Sequence, residues 1–126
     1  MMITVNSILI VDDQVGIRLL LNEVFQSEGL TTYTASNGAE ALQIFKEKQI
    51  DCILLDVKMP GMDGIEILNE IRKTNEYIPV YMMTAYGEQE LIDSAIKLNI
   101  EKFFTKPFNI FEVRDSVLNL LQQKKV

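Results

Sequence analysis

A chain of 126 residues that is 48% hydrophobic suits one compact domain with a real core. It fits neither a disordered chain nor a membrane span, since no apolar run approaches the roughly 20 residues a spanning helix needs. Twelve basic against eighteen acidic side chains leave a net charge of −6, which argues against nucleic acid as a partner, because nonspecific binding there rests on neutralising phosphates with Lys and Arg.

The first segment, Met1 to Asn6, lacks the basic stretch and apolar run of a signal peptide, so a cytoplasmic location is expected. Ile8-Leu9-Ile10-Val11 then reads as a strand buried on both faces. Ile17, Leu20, Leu21 and Val24 recur at helical spacing and predict the core face of a first helix, with Gly29 as its stop. Thr31 to Ala35, rich in Thr and Tyr, predicts a strand at a sheet edge. Ala41, Leu42 and Phe45 predict a second helix.

Cys52-Ile53-Leu54-Leu55 is another apolar strand, and Cys52, the sole cysteine, is expected to be a buried, inert thiol. Asp63 with Glu66 three residues on marks the start of a third helix carrying Ile65, Leu68 and Ile71. A fourth strand is expected over Val80 to Met83, then a helix carrying Leu91, Ala95 and Leu98. Phe103-Phe104 forms a fifth strand. Asn109, three residues before Glu112, opens a last helix bearing Ile110, Val113, Val117 and Leu120. Five strands alternating with five helices imply an α/β fold, a parallel sheet covered on both faces, with its ligand crevice beyond the carboxyl ends of the strands.

Polar residues cluster at those ends. Asp12 and Asp13 follow the first strand, Asp56 the third, Thr84 the fourth and Lys106 the fifth. Any one of them has an ordinary explanation as a cap, a turn residue or a solvated charge; their conjunction at one sheet edge does not. Three close carboxylates repel one another and need a cation. Oxygen ligands completed by water point to Mg²⁺, with the carbonyl of Lys58 as a backbone ligand. Asp56 is then placed as a nucleophile towards phosphorus. The metal and Lys106 would neutralise the phosphoryl oxygens, and Thr84 would hydrogen-bond one of them. The chain has no histidine, so it offers neither His-based acid–base chemistry nor a phosphohistidine of its own.

Four segments resemble the signatures of response-regulator receiver domains: Ile8 to Asp13, Leu54 to Gly64, Met83-Thr84-Ala85 and Phe104 to Phe108. The likeness runs from about residue 7 to residue 122, so the expectation is a single receiver domain over 1–126 with no output domain. It implies a doubly wound, flavodoxin-like sheet of five strands in the order 2-1-3-4-5. It also implies an aspartyl phosphate at Asp56, metal ligation by Asp12, Asp13 and Asp56, a cis Lys106-Pro107 bond, and a phosphorylation switch of Thr84 with Phe103. For Phe103 an ordinary core role stands beside the switch.

A receiver without an output module must act on other proteins. On a helical wheel Val15 and Leu19 fall opposite the predicted core face, beside Arg18 and Asn22, which suggests a docking surface. Gly16 in the same turn would let another backbone come close. The run from Asp12 to Arg18, with Met83 to Glu88 and Pro60 to Leu68, is similar to single-domain receivers of sporulation phosphorelays. That similarity implies a monomer that takes a phosphoryl group from a sensor histidine kinase and passes it to a helical-bundle histidine phosphotransferase. An aspartyl-phosphate phosphatase is a further partner. Gln14, Val15, Gly16, Ile17, Arg18, Leu20 and Pro107 would meet these partners. Lys58 and Tyr86, each two residues beyond a site residue, would shield the phosphoryl group from water.

Three rivals share parts of this pattern. A chemotaxis-type messenger that binds its target when phosphorylated has the same site and different partners. A haloacid-dehalogenase phosphatase needs an acid two residues after the nucleophile, where this chain has Lys58. A flavin module wants a phosphate loop after the first strand, and Asp12-Asp13 would repel phosphate.

Overall fold

The computed structural model describes residues 5–85 and 89–123, with the side chains of 89–91 left aside. Five strands alternate with five helices: β1 Ser7–Val11, α1 Val15–Ser27, β2 Thr31–Ala35, α2 Gly38–Glu47, β3 Cys52–Asp56, α3 Gly64–Thr74, β4 Val80–Thr84, α4 Gln89–Ile96, β5 Lys102–Thr105 and α5 Ile110–Gln123. All strand pairs are parallel and the order is β2-β1-β3-β4-β5, as expected.

Every residue of β1, β3 and β4 is buried, which is what the unbroken apolar runs require of central strands sandwiched between helices. The edge strands β2 and β5 are more exposed and carry Thr and Lys. Alternation along each strand divides the core in two. Leu9, Val11, Ile53, Leu55, Val80 and Met82 pack towards α2, α3 and α4. Ile8, Ile10, Leu54, Tyr81, Met83 and Phe104 pack towards α1 and α5.

Local chemistry sets the helix boundaries. Asp63 accepts a hydrogen bond from the Glu66 amide at 2.9 Å, the expected cap of α3. Asn109 accepts from the Phe111 amide at 2.9 Å at the start of α5. Asn37 caps α2 through the Glu40 amide, while the Glu40 carboxylate accepts from the Ser36 amide. Gly29, with φ +85°, ends α1.

Two expectations need correction. Leu20 is 48% exposed, whereas its spacing had put it on the core face. The buried line of α1 instead follows Leu21 and Phe25, one turn apart, which pack on Ile8, Ile10 and Leu54 of the sheet and on Val113 and Val117 of α5, while Leu20 borders a surface cleft beside Phe111 and Arg114. Leu98 lies past the end of α4. The chain closes there with the Leu98 amide donating to the Ala95 carbonyl and Asn99 adopting φ +61°.

Candidate phosphoryl-acceptor site

At the carboxyl edge of the sheet, Asp12, Asp13 and Asp56 bring one carboxylate oxygen each to within 4.8 Å of one another. Asp12 is wholly buried, Asp56 is 5% exposed and Asp13 faces solvent. Asp56 is the last residue of β3, in register with Met83 of β4. Asp12 continues β1, its amide donating to the Ala35 carbonyl at 3.1 Å. The sheet therefore holds both backbones rigidly while their side chains project past its end.

Lys106 closes the cluster from the β5–α5 loop. Its Nζ donates to Asp12 Oδ2 at 2.8 Å and to Gln14 Oε1 at 3.1 Å, and stands 3.3 Å from Asp56 Oδ2. Its amide donates to the Thr84 carbonyl at 2.6 Å, so a strand-end residue of β4 sets where the lysine leaves the sheet. The Lys106-Pro107 bond is cis, as the resemblance implied. Asp12 Oδ1 accepts the Gln14 amide at 2.9 Å, and the Asp12 carbonyl accepts Arg18 Nη1 at 2.8 Å.

Electrostatics follow from this packing. Burial, and then the neighbouring Asp12 charge, push the Asp56 carboxyl up from 3.8 to about 7, with Lys106 pulling the other way. For Lys106, burial acts downward, but the Asp12 hydrogen bond and the charges of Asp56 and Asp12 prevail and raise its pKa. A lone ammonium thus offsets only part of the repulsion among three carboxylates. A small cation with oxygen ligands is what this donor set fits.

The remaining predicted residues are placed as follows. Thr84 is buried at the end of β4. Phe103 pairs with Met82 and so shares its sheet face with Thr84, two residues along β4. It is half-buried against the core beneath α4, an arrangement that suits both the switch and a plain packing role. Lys58 and Pro107 are exposed beside the site. Tyr86 lies outside the described residues. Val15 and Leu19 are 59% and 62% exposed on α1, as the wheel predicts.

Sequence reasoning missed Gly64 and Arg72. A Cβ on Gly64 would meet the Asp56 carbonyl, and the Gly64 amide donates to the Val57 carbonyl at 2.7 Å. The usable signal was a glycine, a poor helix former, directly after the Asp63 cap. Arg72 donates to the carbonyls of Ile78, Leu98, Asn75 and Asn99, tying the end of α3 to two loops. No local signal announces that role.

Residues 8–118 match the response regulator receiver domain family. The chain belongs to that family. It is 52% identical over 117 residues to sporulation initiation phosphotransferase F of Bacillus subtilis, covering 93% of this chain and 94% of that protein. It is 34% identical to the chemotaxis protein CheY of Halobacterium salinarum, covering 90% and 95%. Among solved structures, a receiver domain protein from Clostridium thermocellum superposes with a TM-score of 0.87 at 29% identity, covering 96% and 98%. No helix among the described residues is long and apolar enough to cross a membrane.

Proposed function

We propose that this receiver accepts a phosphoryl group on Asp56 from the phosphohistidine of a sensor kinase and passes it to a histidine of a downstream phosphotransferase. The observation that carries the reading is the cluster of Asp12, Asp13 and Asp56 closed by Lys106. A carboxylate nucleophile, a cation-binding acid pair and a positioned ammonium are together what phosphoryl transfer requires. Asp12, Asp13 and Asp56, with the Lys58 carbonyl, would hold Mg²⁺, which when bound neutralises charge on the phosphoryl oxygens.

In the forward step an Asp56 oxygen bonds to phosphorus as the P–N bond to the imidazole breaks. The imidazole nitrogen keeps the electron pair and the kinase histidine is left free. Lys106 would balance charge on the transferring group and Thr84 would donate a hydrogen bond to it. Onward transfer reverses the step, with an acceptor imidazole attacking phosphorus and Asp56 leaving as carboxylate. Burial of Asp56 limits access by water, and Lys58, exposed beside the site, with Tyr86 two residues beyond Thr84 in sequence, would narrow it further. Similarity to the Bacillus phosphotransferase supports sporulation as the pathway; a helical-bundle partner would dock on Gln14, Val15, Gly16, Ile17, Arg18, Leu20 and Pro107.

A second reading, a messenger that binds a target when phosphorylated, draws on the similarity to the chemotaxis protein. The test incubates the protein with Mg²⁺, a kinase and labelled ATP, then adds a histidine phosphotransferase. Label on the wild type, none on Asp56→Asn, and passage to the added histidine are expected. Label retained by Asp56→Asn would overturn the reading; label that never moves on would favour the messenger.

A further inference from the structure

Gln14 carries a feature that the acceptor chemistry does not use. It occupies the N-cap position of α1 with extended backbone, φ −88° and ψ 115°, yet its side chain makes no cap hydrogen bond. Side chains at that position ordinarily satisfy the free amides of the first helical turn. Here the amide oxygen reaches back across the site instead and accepts Lys106 Nζ at 3.1 Å, linking residues 92 apart in sequence. The Gln14 backbone is pinned in turn: its amide donates to Asp12 Oδ1 at 2.9 Å and its carbonyl accepts the Arg18 amide at 3.1 Å. The side chain is therefore presented to Lys106 from a fixed base.

An ammonium has three donors and no acceptor. Lys106 commits two of them to Asp12 Oδ2 and Gln14 Oε1, and its approach to Asp56 Oδ2 at 3.3 Å is the longest of the three contacts. Two of these three partners are carboxylates and one is a neutral amide. When Asp56 carries a phosphoryl group, the negative charge beside it moves onto phosphoryl oxygens and increases. The bond to Asp12 is charge-assisted and roughly twice as strong as a bond to a neutral acceptor. The donor already facing Asp56 meets the phosphoryl group first, and of the two remaining bonds the one to the neutral Gln14 amide is the weaker and so the one that can yield a second donor to it.

We propose that Gln14 is a positioning residue: its amide oxygen is an exchangeable placeholder that holds one donor of Lys106 in the unphosphorylated protein and surrenders it to a phosphoryl oxygen beside the donor already facing Asp56. This inference rests on the reading of Asp56 as phosphoryl acceptor. It assigns Gln14 a task inside the site in addition to any contact with a partner. The Gln14 bond competes with the phosphoryl group, so removing it should favour the phosphorylated state, and strengthening it should oppose that state.

The test uses beryllofluoride, a phosphoryl mimic, titrated in Mg²⁺ onto the full chain and followed by amide NMR, with no partner protein present. Gln14→Ala is expected to bind the mimic about threefold more tightly, the low end of the net contribution of one hydrogen bond, as suits a solvent-exposed one. Gln14→Glu, which offers Lys106 a charged acceptor, is expected to bind it more weakly. Gln14→Asn, too short to reach Nζ from the same backbone, should behave as Gln14→Ala. Lys106 ammonium resonances, read in ¹⁵N-lysine-labelled protein without the mimic, should shift in Gln14→Ala, which a purely structural role would not cause. Equal affinity in wild type and Gln14→Ala, or weaker binding in Gln14→Ala at unchanged Mg²⁺ affinity, would overturn the proposal. Failure of the wild type to bind the mimic at all would instead strike the acceptor reading of Asp56.

Discussion

A Cβ placed on Gly64 would lie 2.3 Å from the carbonyl oxygen of Asp56 and 2.8 Å from the Cα of Val57. The first residue of α3 is thus pressed against the strand end that presents the acceptor carboxylate. The obstacle is backbone, so no side chain can swing aside to make room.

Gly64→Ala should therefore destabilise the protein by about 2–4 kcal/mol, as overpacking against a fixed backbone does. Urea unfolding measures this, and Mg²⁺ affinity should fall with it because Asp56 is displaced. Gly16, where an added Cβ meets nothing within 4 Å, is the control: Gly16→Ala should be neutral or stabilise by up to about 1 kcal/mol.

The buried position of Asp56 makes stability depend on pH. Its folded pKa of about 7 lies above the ordinary 3.8, so the folded state binds the proton more tightly than the unfolded chain. Stability from this group is present at low pH and declines as pH rises from about 4 through 7. Without metal, the gain in stability from Asp56→Asn should grow between pH 5 and pH 8 by on the order of 2 kcal/mol. Thermal unfolding at the two pH values checks this. Saturating Mg²⁺ should stabilise the wild type more at pH 8 than at pH 5.

Asp12 and Asp13 should separate on mutation. Asp12 is wholly buried and bonded to Lys106 and the Gln14 amide, while Asp13 is exposed. Asp12→Ala should weaken Mg²⁺ binding by tenfold or more and cost about 2–4 kcal/mol of stability. Asp13→Ala should weaken Mg²⁺ binding alone, with stability changed by less than about 0.5 kcal/mol. Calorimetric titration with Mg²⁺ and urea unfolding read the two quantities separately.

Arg72 donates to four backbone carbonyls, at 2.8 Å to Leu98, 2.8 Å to Ile78, 2.9 Å to Asn99 and 3.2 Å to Asn75. Burial lowers its pKa from the ordinary guanidinium value, partly offset by Glu101, yet it stays charged. Arg72→Ala should lower stability by about 2–3 kcal/mol. Arg72→Lys should recover little of that, since an ammonium lacks the planar fork that spans two loops. Differential scanning calorimetry distinguishes the two variants.

Docking should depend on the exposed stripe of α1. Leu19→Glu, at a position 62% exposed, should leave labelling by a small phosphodonor unchanged while reducing transfer from the kinase at least fivefold, about 1 kcal/mol of lost interface. Equal rates from both donors would place docking elsewhere.

Much of this protein was legible from local pattern. Strands buried on both faces read as unbroken apolar runs, so β1, β3 and β4 and their terminal Asp12, Asp56 and Thr84 could be named from the chain alone. Caps are equally local, and Asp63 and Asn109 follow from a spacing of three residues. Periodicity put Leu20 on the core face of α1, yet the packing of that helix on the sheet buries Leu21 and Phe25 and leaves Leu20 half exposed. The same limit applies to Gly64, Arg72 and Gln14. Each acts through a contact with a distant backbone or side chain, and the distance closes only when the sheet brings those segments together. Residue type and local spacing therefore determined which groups stand at the sheet edge. Tertiary packing decided what each of them touches, since burial and hydrogen-bond partners belong to neighbours in space.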